Sequence, residues 1–187
     1  AMPDYWVWCG SVAQGDDGLF HMFASRWPRQ YPFFDGYRLY SEVAHATSPT
    51  PEGPYTFRDV ALPARGAEHW DGRMTHNPTI HRWRDMWLLF YIGATWSGPD
   101  VAPAKIVGSP KPAESYANIR IGLATSRSLD GPWERREAPI LLPRPGKWDS
   151  TVVTNPAPCV RDDGRILMLY RSNTPAGLRI GAAMADG

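Results

Sequence analysis

The chain has 187 residues, 20 Lys and Arg against 19 Asp and Glu, and a formal net charge of +1. That balance removes the electrostatic case for nucleic acid or an anionic membrane surface as partner. A 43% hydrophobic content excludes a disordered chain, and the 17 Gly and 19 Pro argue against long helices and for short strands joined by turns.

Each inner strand is predicted to begin at a special residue, Cys9, Asn77 or Asn155, and the first is followed by the turn Gly15-Asp16-Asp17-Gly18, where positive φ costs little. Residues 19–24 form an apolar run suited to a strand buried on both faces. Residues 26–40 then interrupt with Trp27, Tyr31, Phe33, Phe34, Tyr37 and Tyr40, either a pocket wall or a surface excursion packed on its own blade. A third strand over 43–48 leads into Gly53-Pro54-Tyr55, and an outer strand follows over 56–62.

The same order then returns. Trp70-Asp71-Gly72 precedes Asn77-Pro78-Thr79, a turn at 83–85, an apolar strand at 86–93, a Pro-rich excursion at 95–118, a strand at 119–126, Gly131-Pro132-Trp133 and an outer strand at 134–142. Trp148-Asp149-Ser150 and Asn155-Pro156-Ala157 open a third round, with strands at 166–170 and 178–184. The Trp-Asp, Asn-Pro, Gly-Pro-aromatic and Ala-Thr-Ser matches all recur 78 positions on. Four antiparallel strands repeated at one period predict an all-β fold, a β-propeller with about three four-stranded blades in this chain and no helix longer than two turns. The predicted blades span about 4–64, 69–143 and 147–187, the last lacking its outer strand.

Several stretches carry a resemblance over essentially the whole chain: Val7-Trp8-Cys9-Gly10-Ser11, Phe23-Ala24-Ser25-Arg26-Trp27-Pro28, Thr75-His76-Asn77-Pro78-Thr79-Ile80-His81, Ile121-Gly122-Leu123-Ala124-Thr125-Ser126, and Trp148-Asp149-Ser150 with Thr154-Asn155-Pro156-Ala157-Pro158. They resemble the five-bladed β-propeller glycoside hydrolases of the family 43 and family 117 kind. The resemblance implies a carbohydrate substrate and a site on the central axis holding a base carboxylate, a second carboxylate that tunes pKa, and a general acid. Many members open the first blade with Asp-Pro. The aligned positions here are Cys9, Asn77 and Asn155, none of them a carboxylate. Members also continue into further blades.

Inverting glycoside hydrolysis needs two acidic groups about 6.5–9.5 Å apart. Asp71 and Asp149, each six residues before its Asn-Pro, are the candidate pair, against the alternative that each caps a turn. His76 is polar and unrepeated at a repeated position, a candidate acid or sugar ligand. Asn77 and Asn155 are candidate sugar ligands or blade ties, Trp70, Trp148 and Trp27 candidate sugar platforms, and Arg26 and Arg171 candidate anion ligands. No metal-ligand spacing and no cofactor motif is recognisable, so none is predicted. Cys9 and Cys159 read as small buried thiols rather than a disulfide framework.

These features favour a glycoside hydrolase acting by inverting general acid/base chemistry. The alternatives are an inverting glycoside phosphorylase, with arginines holding phosphate, and a non-catalytic glycan-binding or assembly fragment. Two open apolar blade faces predict either further blades or self-association. No leader pattern opens the sequence, and secretion or the periplasm fits if one has been removed.

Overall fold

The fold was established from a computed structural model that describes residues 2–174 and 176–186. Ala1, Pro175 and Gly187, the end of the third predicted blade, lie outside the described residues. Three antiparallel sheets follow in chain order, each a simple meander. The first holds β1 (Tyr5–Gln14), β2 (Phe20–Pro28), β3 (Glu42–Ser48) and β4 (Thr56–Leu62). The second holds β5 (Met74–Trp83), β6 (Met86–Ala94), β7 (Arg120–Ser126) and β8 (Glu134–Arg135), and the third β9 (Thr154–Val160), β10 (Ile166–Thr174) and β11 (Gly177–Ala185). The inner strands lie side by side, β5 packed against β1 on one flank and β9 on the other. This is a partial β-propeller.

The apolar run of β6 explains itself in this arrangement. Leu88, Phe90 and Ile92 enter the core shared with the third sheet, beside Val152, Val153, Met168 and Tyr170. Leu89 and Tyr91 enter the core shared with the first, beside Phe23, Val43 and Leu62. A strand buried on both faces has no place for alternation with polar residues. The flanking sheets each leave one face open: Val7 and Val12 on β1, and Leu178, Ile180 and Met184 on β11, are 41–67% exposed. Polar ties cross the blade seams, among them Thr79 Oγ1 to the Pro156 carbonyl at 3.0 Å, and the Asn77 and Ile80 amides to the hydroxyls of Ser25 and Ser11 at 2.8 and 3.1 Å.

The structure corrects four sequence expectations. Cys9, Asn77 and Asn155 do not begin their strands but sit inside them, because each marks a bulge. Both excursions contain helix: α1 (Phe33–Tyr40), slightly more than two turns, and α2 (Lys111–Ala117). The outer strand of the second sheet is cut to two residues, since Pro139 has no amide to offer a ladder; only an isolated bridge between Ile121 and Leu141 resumes it. Both cysteines are exposed rather than buried.

Candidate active site

Cys9, Asn77 and Asn155 all adopt left-handed backbone, with φ of 50°, 50° and 53°. The ladder slips beside each one: between Trp8 and Ser11, between His76 and Thr79, and on β10 opposite β9 between Leu169 and Arg171. A left-handed residue costs a non-glycine side chain about 1–2 kcal/mol, least for Asn. Bulges of this kind re-aim side chains next to functional sites. Here they turn Trp8, His76 and Thr154, the residues just before the three left-handed positions, toward one axial cavity of about 340 Å³, joined there by Asn77 and Asn155. The scaffold repeats and the side chains it presents do not.

The remaining wall comes from Arg171 and Asn173 on β10, Trp27 on β2, and the two excursions. Phe33, Phe34, Tyr37 and Arg38 of α1 face the cavity, with Tyr116 of α2 beside them. The helices brace one another: the Ser115 hydroxyl donates to the Arg38 carbonyl at 2.5 Å, and the Arg38 guanidinium lies 5.0 Å from the Tyr116 ring centre. The excursions therefore form the pocket wall.

His76 is 4% exposed. Its ring stacks on Tyr37 at 4.8 Å and meets Trp27 edge-on at 5.5 Å, with Ser41 Oγ 2.7 Å from Nδ1. Burial pushes its pKa down to about 3, so the ring is neutral near pH 7. It can offer one N–H and one lone pair; it is not an imidazolium acid in this state. Around it, five polar atoms lack a hydrogen-bond partner among the described residues: Asn77 Oδ1, Asn173 Oδ1, Arg171 Nε, Arg38 Nε and Trp27 Nε1. Buried polar groups are ordinarily satisfied, so such a concentration marks a place for a polar ligand. Among the described residues, two arginines and no carboxylate line the cavity.

Asp71 and Asp149 stand elsewhere. Both are 0% exposed, and neither lines the cavity. Asp71 accepts from Arg65 Nε at 2.8 Å, the Tyr91 hydroxyl at 2.6 Å and Arg135 at 3.4 Å. Asp149 accepts from Arg144 Nε at 2.9 Å and the Tyr170 hydroxyl at 2.7 Å. Burial alone raises the Asp149 pKa, but the Tyr170 and Arg144 hydrogen bonds together outweigh it and hold the pKa below the usual value. Their lone pairs are committed inside the blades. The adjoining Trp70 and Trp148 stack on Tyr91 and Tyr170 at 6.0 and 5.8 Å, which is possible because Gly122 and Gly181 lie beneath them. The first sheet has no such Trp-Asp unit and carries Ala44 at the register position of Gly122.

Arg26 and Arg171 are not equivalent. Arg26 pairs across its ladder with Glu42 and Arg171 with Ile180, one register step apart, which puts them on opposite sheet faces. Arg26 is bound to Glu42 at 2.8 Å and packed on Tyr5 and Phe57, away from the axis. The structure thus brings together His76, Asn77, Asn155, Arg171 and Trp27, and leaves out Asp71, Asp149, Trp70, Trp148 and Arg26. Sequence reasoning missed Arg38, Tyr116 and Asn173; only Asn173 had a signal, two residues after Arg171 on the same strand face.

No protein-family profile and no curated protein matches this chain. Solved structures do. Zg3597, a family 117 glycoside hydrolase of the marine bacterium Zobellia galactanivorans, aligns with 98% of this chain and 53% of its own at 18% identity, TM-score 0.76. An α-L-arabinofuranosidase from Lactobacillus brevis aligns with 95% of this chain and 49% of its own at 10% identity, TM-score 0.63. CoXyl43, a family 43 β-xylosidase/α-arabinofuranosidase from a compost metagenome, aligns with 90% and 43% at 18% identity, TM-score 0.58. The chain spans about half the length of these structures, and over that span it has the fold of the glycosidase propellers.

Proposed function

We propose that this chain supplies the substrate-binding half of a glycoside hydrolase site, and that the sugar it holds carries negative charge. The observation behind this reading is the cluster of five unpartnered polar atoms in an aromatic-walled axial cavity whose charged lining is Arg38 and Arg171. Amide oxygens of Asn77 and Asn173 accept from sugar hydroxyls, and the neutral His76 orients a further one. The arginines meet a carboxylate or sulfate substituent. An inverting hydrolysis needs two carboxyl groups. In this reading they come from the part of a full-length propeller that corresponds to the other half of the matched structures.

The lack of a carboxylate in the lining favours a second reading, a glycan-binding module without turnover. Calorimetry with neutral and uronate-containing oligosaccharides, alongside product analysis with and without phosphate, separates the possibilities. Saturable binding of acidic oligosaccharides, lost in Arg171→Ala, supports the proposal. Phosphate-dependent release of a sugar phosphate would identify a phosphorylase. Equal affinity for neutral and acidic sugars, or binding indifferent to Arg171→Ala, would refute the charged-sugar reading.

A further inference from the structure

At the β1–β2 turn end of the first seam, none of the axial lining residues is present, yet a second set of chemically able side chains meets. His21 of β2 and His45 of β3 are 2% and 1% exposed, their rings stacked at 5.1 Å and 11°. His21 Nδ1 and His45 Nε2 face each other at 2.9 Å. The outer nitrogen of each ring lies beside its own carboxylate: His21 Nε2 is 3.3 Å from both Asp17 oxygens, and His45 Nδ1 is 3.5 Å from Asp59 Oδ1. From the second sheet, Asp130 brings a carboxylate oxygen to within 4.8 Å of one ring nitrogen of each histidine, and it enters no ion pair among the described residues.

This is the pattern of a ligated histidine pair. Histidines that bind metal usually donate their other N–H to a carboxylate, which fixes the tautomer and raises ligand basicity. With both outer nitrogens donating in this way, the inner nitrogens each present a lone pair, and the two lone pairs face each other. Two arrangements remove that repulsion: one inner nitrogen carries a proton and donates it to the other ring, or a metal ion takes up the lone pairs. The surroundings hold the arrangement in place: a side chain at Gly15 would stand 2.5 Å from Asp17 Oδ1 and 2.9 Å from His21 Nε2, and His45 stacks on Phe23 at 4.9 Å.

We infer that His21 Nδ1, His45 Nε2 and the Asp130 carboxylate form a divalent transition-metal site, of the Zn²⁺ type, that clasps the first blade to the second. Two imidazoles and one carboxylate suit a borderline ion in four-coordination. A hard ion such as Ca²⁺ wants six to eight oxygens, and of the three carboxylates nearby Asp17 and Asp59 lie against the outer ring nitrogens, which leaves Asp130. The fourth position opens on a small cavity of about 120 Å³ between Asp17, Trp87 and Asp130, large enough for water. Chain spacing hides the site, because the third ligand lies 85 residues beyond His45.

The test is titration of chelator-stripped chain with Zn²⁺ and, separately, Co²⁺, read by calorimetry, thermal midpoint and the visible bands of four-coordinate Co²⁺. One ion per chain is expected, with a raised midpoint and no competition from Ca²⁺. Asp130 is exposed, so Asp130→Ala should leave the metal-free midpoint unchanged while weakening Zn²⁺ binding at least about 10-fold. Histidine ring resonances should shift for His21 and His45 but not for His76. Absence of stoichiometric binding, displacement by Ca²⁺, shifts confined to other histidines, or wild-type affinity in Asp130→Ala would each overturn the proposal.

Discussion

The neutral, buried His76 makes stability pH-dependent in a way that can be worked out in advance. Its folded pKa is about 3 against 6.5 for a free histidine. Between those values the unfolded chain holds a proton that the folded chain does not, so stability rises with pH through this window and is full above about 6.5. Lowering the pH from about 7.5 to about 5 carries the unfolded imidazole roughly 1.5 units past its pKa. At about 1.36 kcal/mol per unit this removes about 2 kcal/mol. His45 and His81, whose pKa values burial also lowers, act with the same sign, so the wild-type slope alone does not isolate His76. His76→Gln removes the titration while keeping a neutral polar side chain beside Ser41. Urea unfolding followed by the fluorescence of the nine tryptophans at both pH values gives the comparison. Wild type should lose about 2 kcal/mol more than the variant. Parallel curves for the two proteins, or a wild type more stable at pH 5, would refute a neutral buried ring.

Asp71→Asn leaves the nearly buried Arg135 without its counter-charge and should cost about 3 kcal/mol in unfolding free energy with ligand affinity unchanged; a normal melting point with lost binding would return Asp71 to the site. In Gly122→Ala the new Cβ would stand 2.7 Å from the Trp70 and Tyr91 rings, and a loss of about 1–3 kcal/mol is expected by thermal melting. Cys9→Gly relieves a left-handed cysteine and should raise stability by up to about 1 kcal/mol; a loss would mean that the thiol's contacts outweigh the backbone strain. The open apolar faces on β1 and β11 should make the isolated chain self-associate in sedimentation, and a stable monomer at micromolar concentration would show that these faces tolerate water.

The 78-residue period, with its Trp-Asp, Asn-Pro and Gly-Pro signatures, was enough to specify sheets, chain order and the special status of Cys9, Asn77 and Asn155. These are local or periodic properties: turn chemistry, breaker placement and the doubly buried run of β6 are written in neighbouring residues. The unrepeated His76 at a repeated position was likewise visible, because a departure from a period is itself a sequence signal. What the tertiary structure decided was the use of each side chain. Whether Asp71 lines a cavity or braces a blade depends on Tyr91 and Arg135, 20 and 64 residues away, reaching its oxygens. A one-step register difference sends Arg171 to the axis and Arg26 to the opposite face, and the pairing of His21 and His45 with Asp130 exists only across a blade seam. Periodicity records which residues share an element, whereas charge, lone pairs and ligand geometry act over a few ångströms, between residues that only the folded sheets bring together.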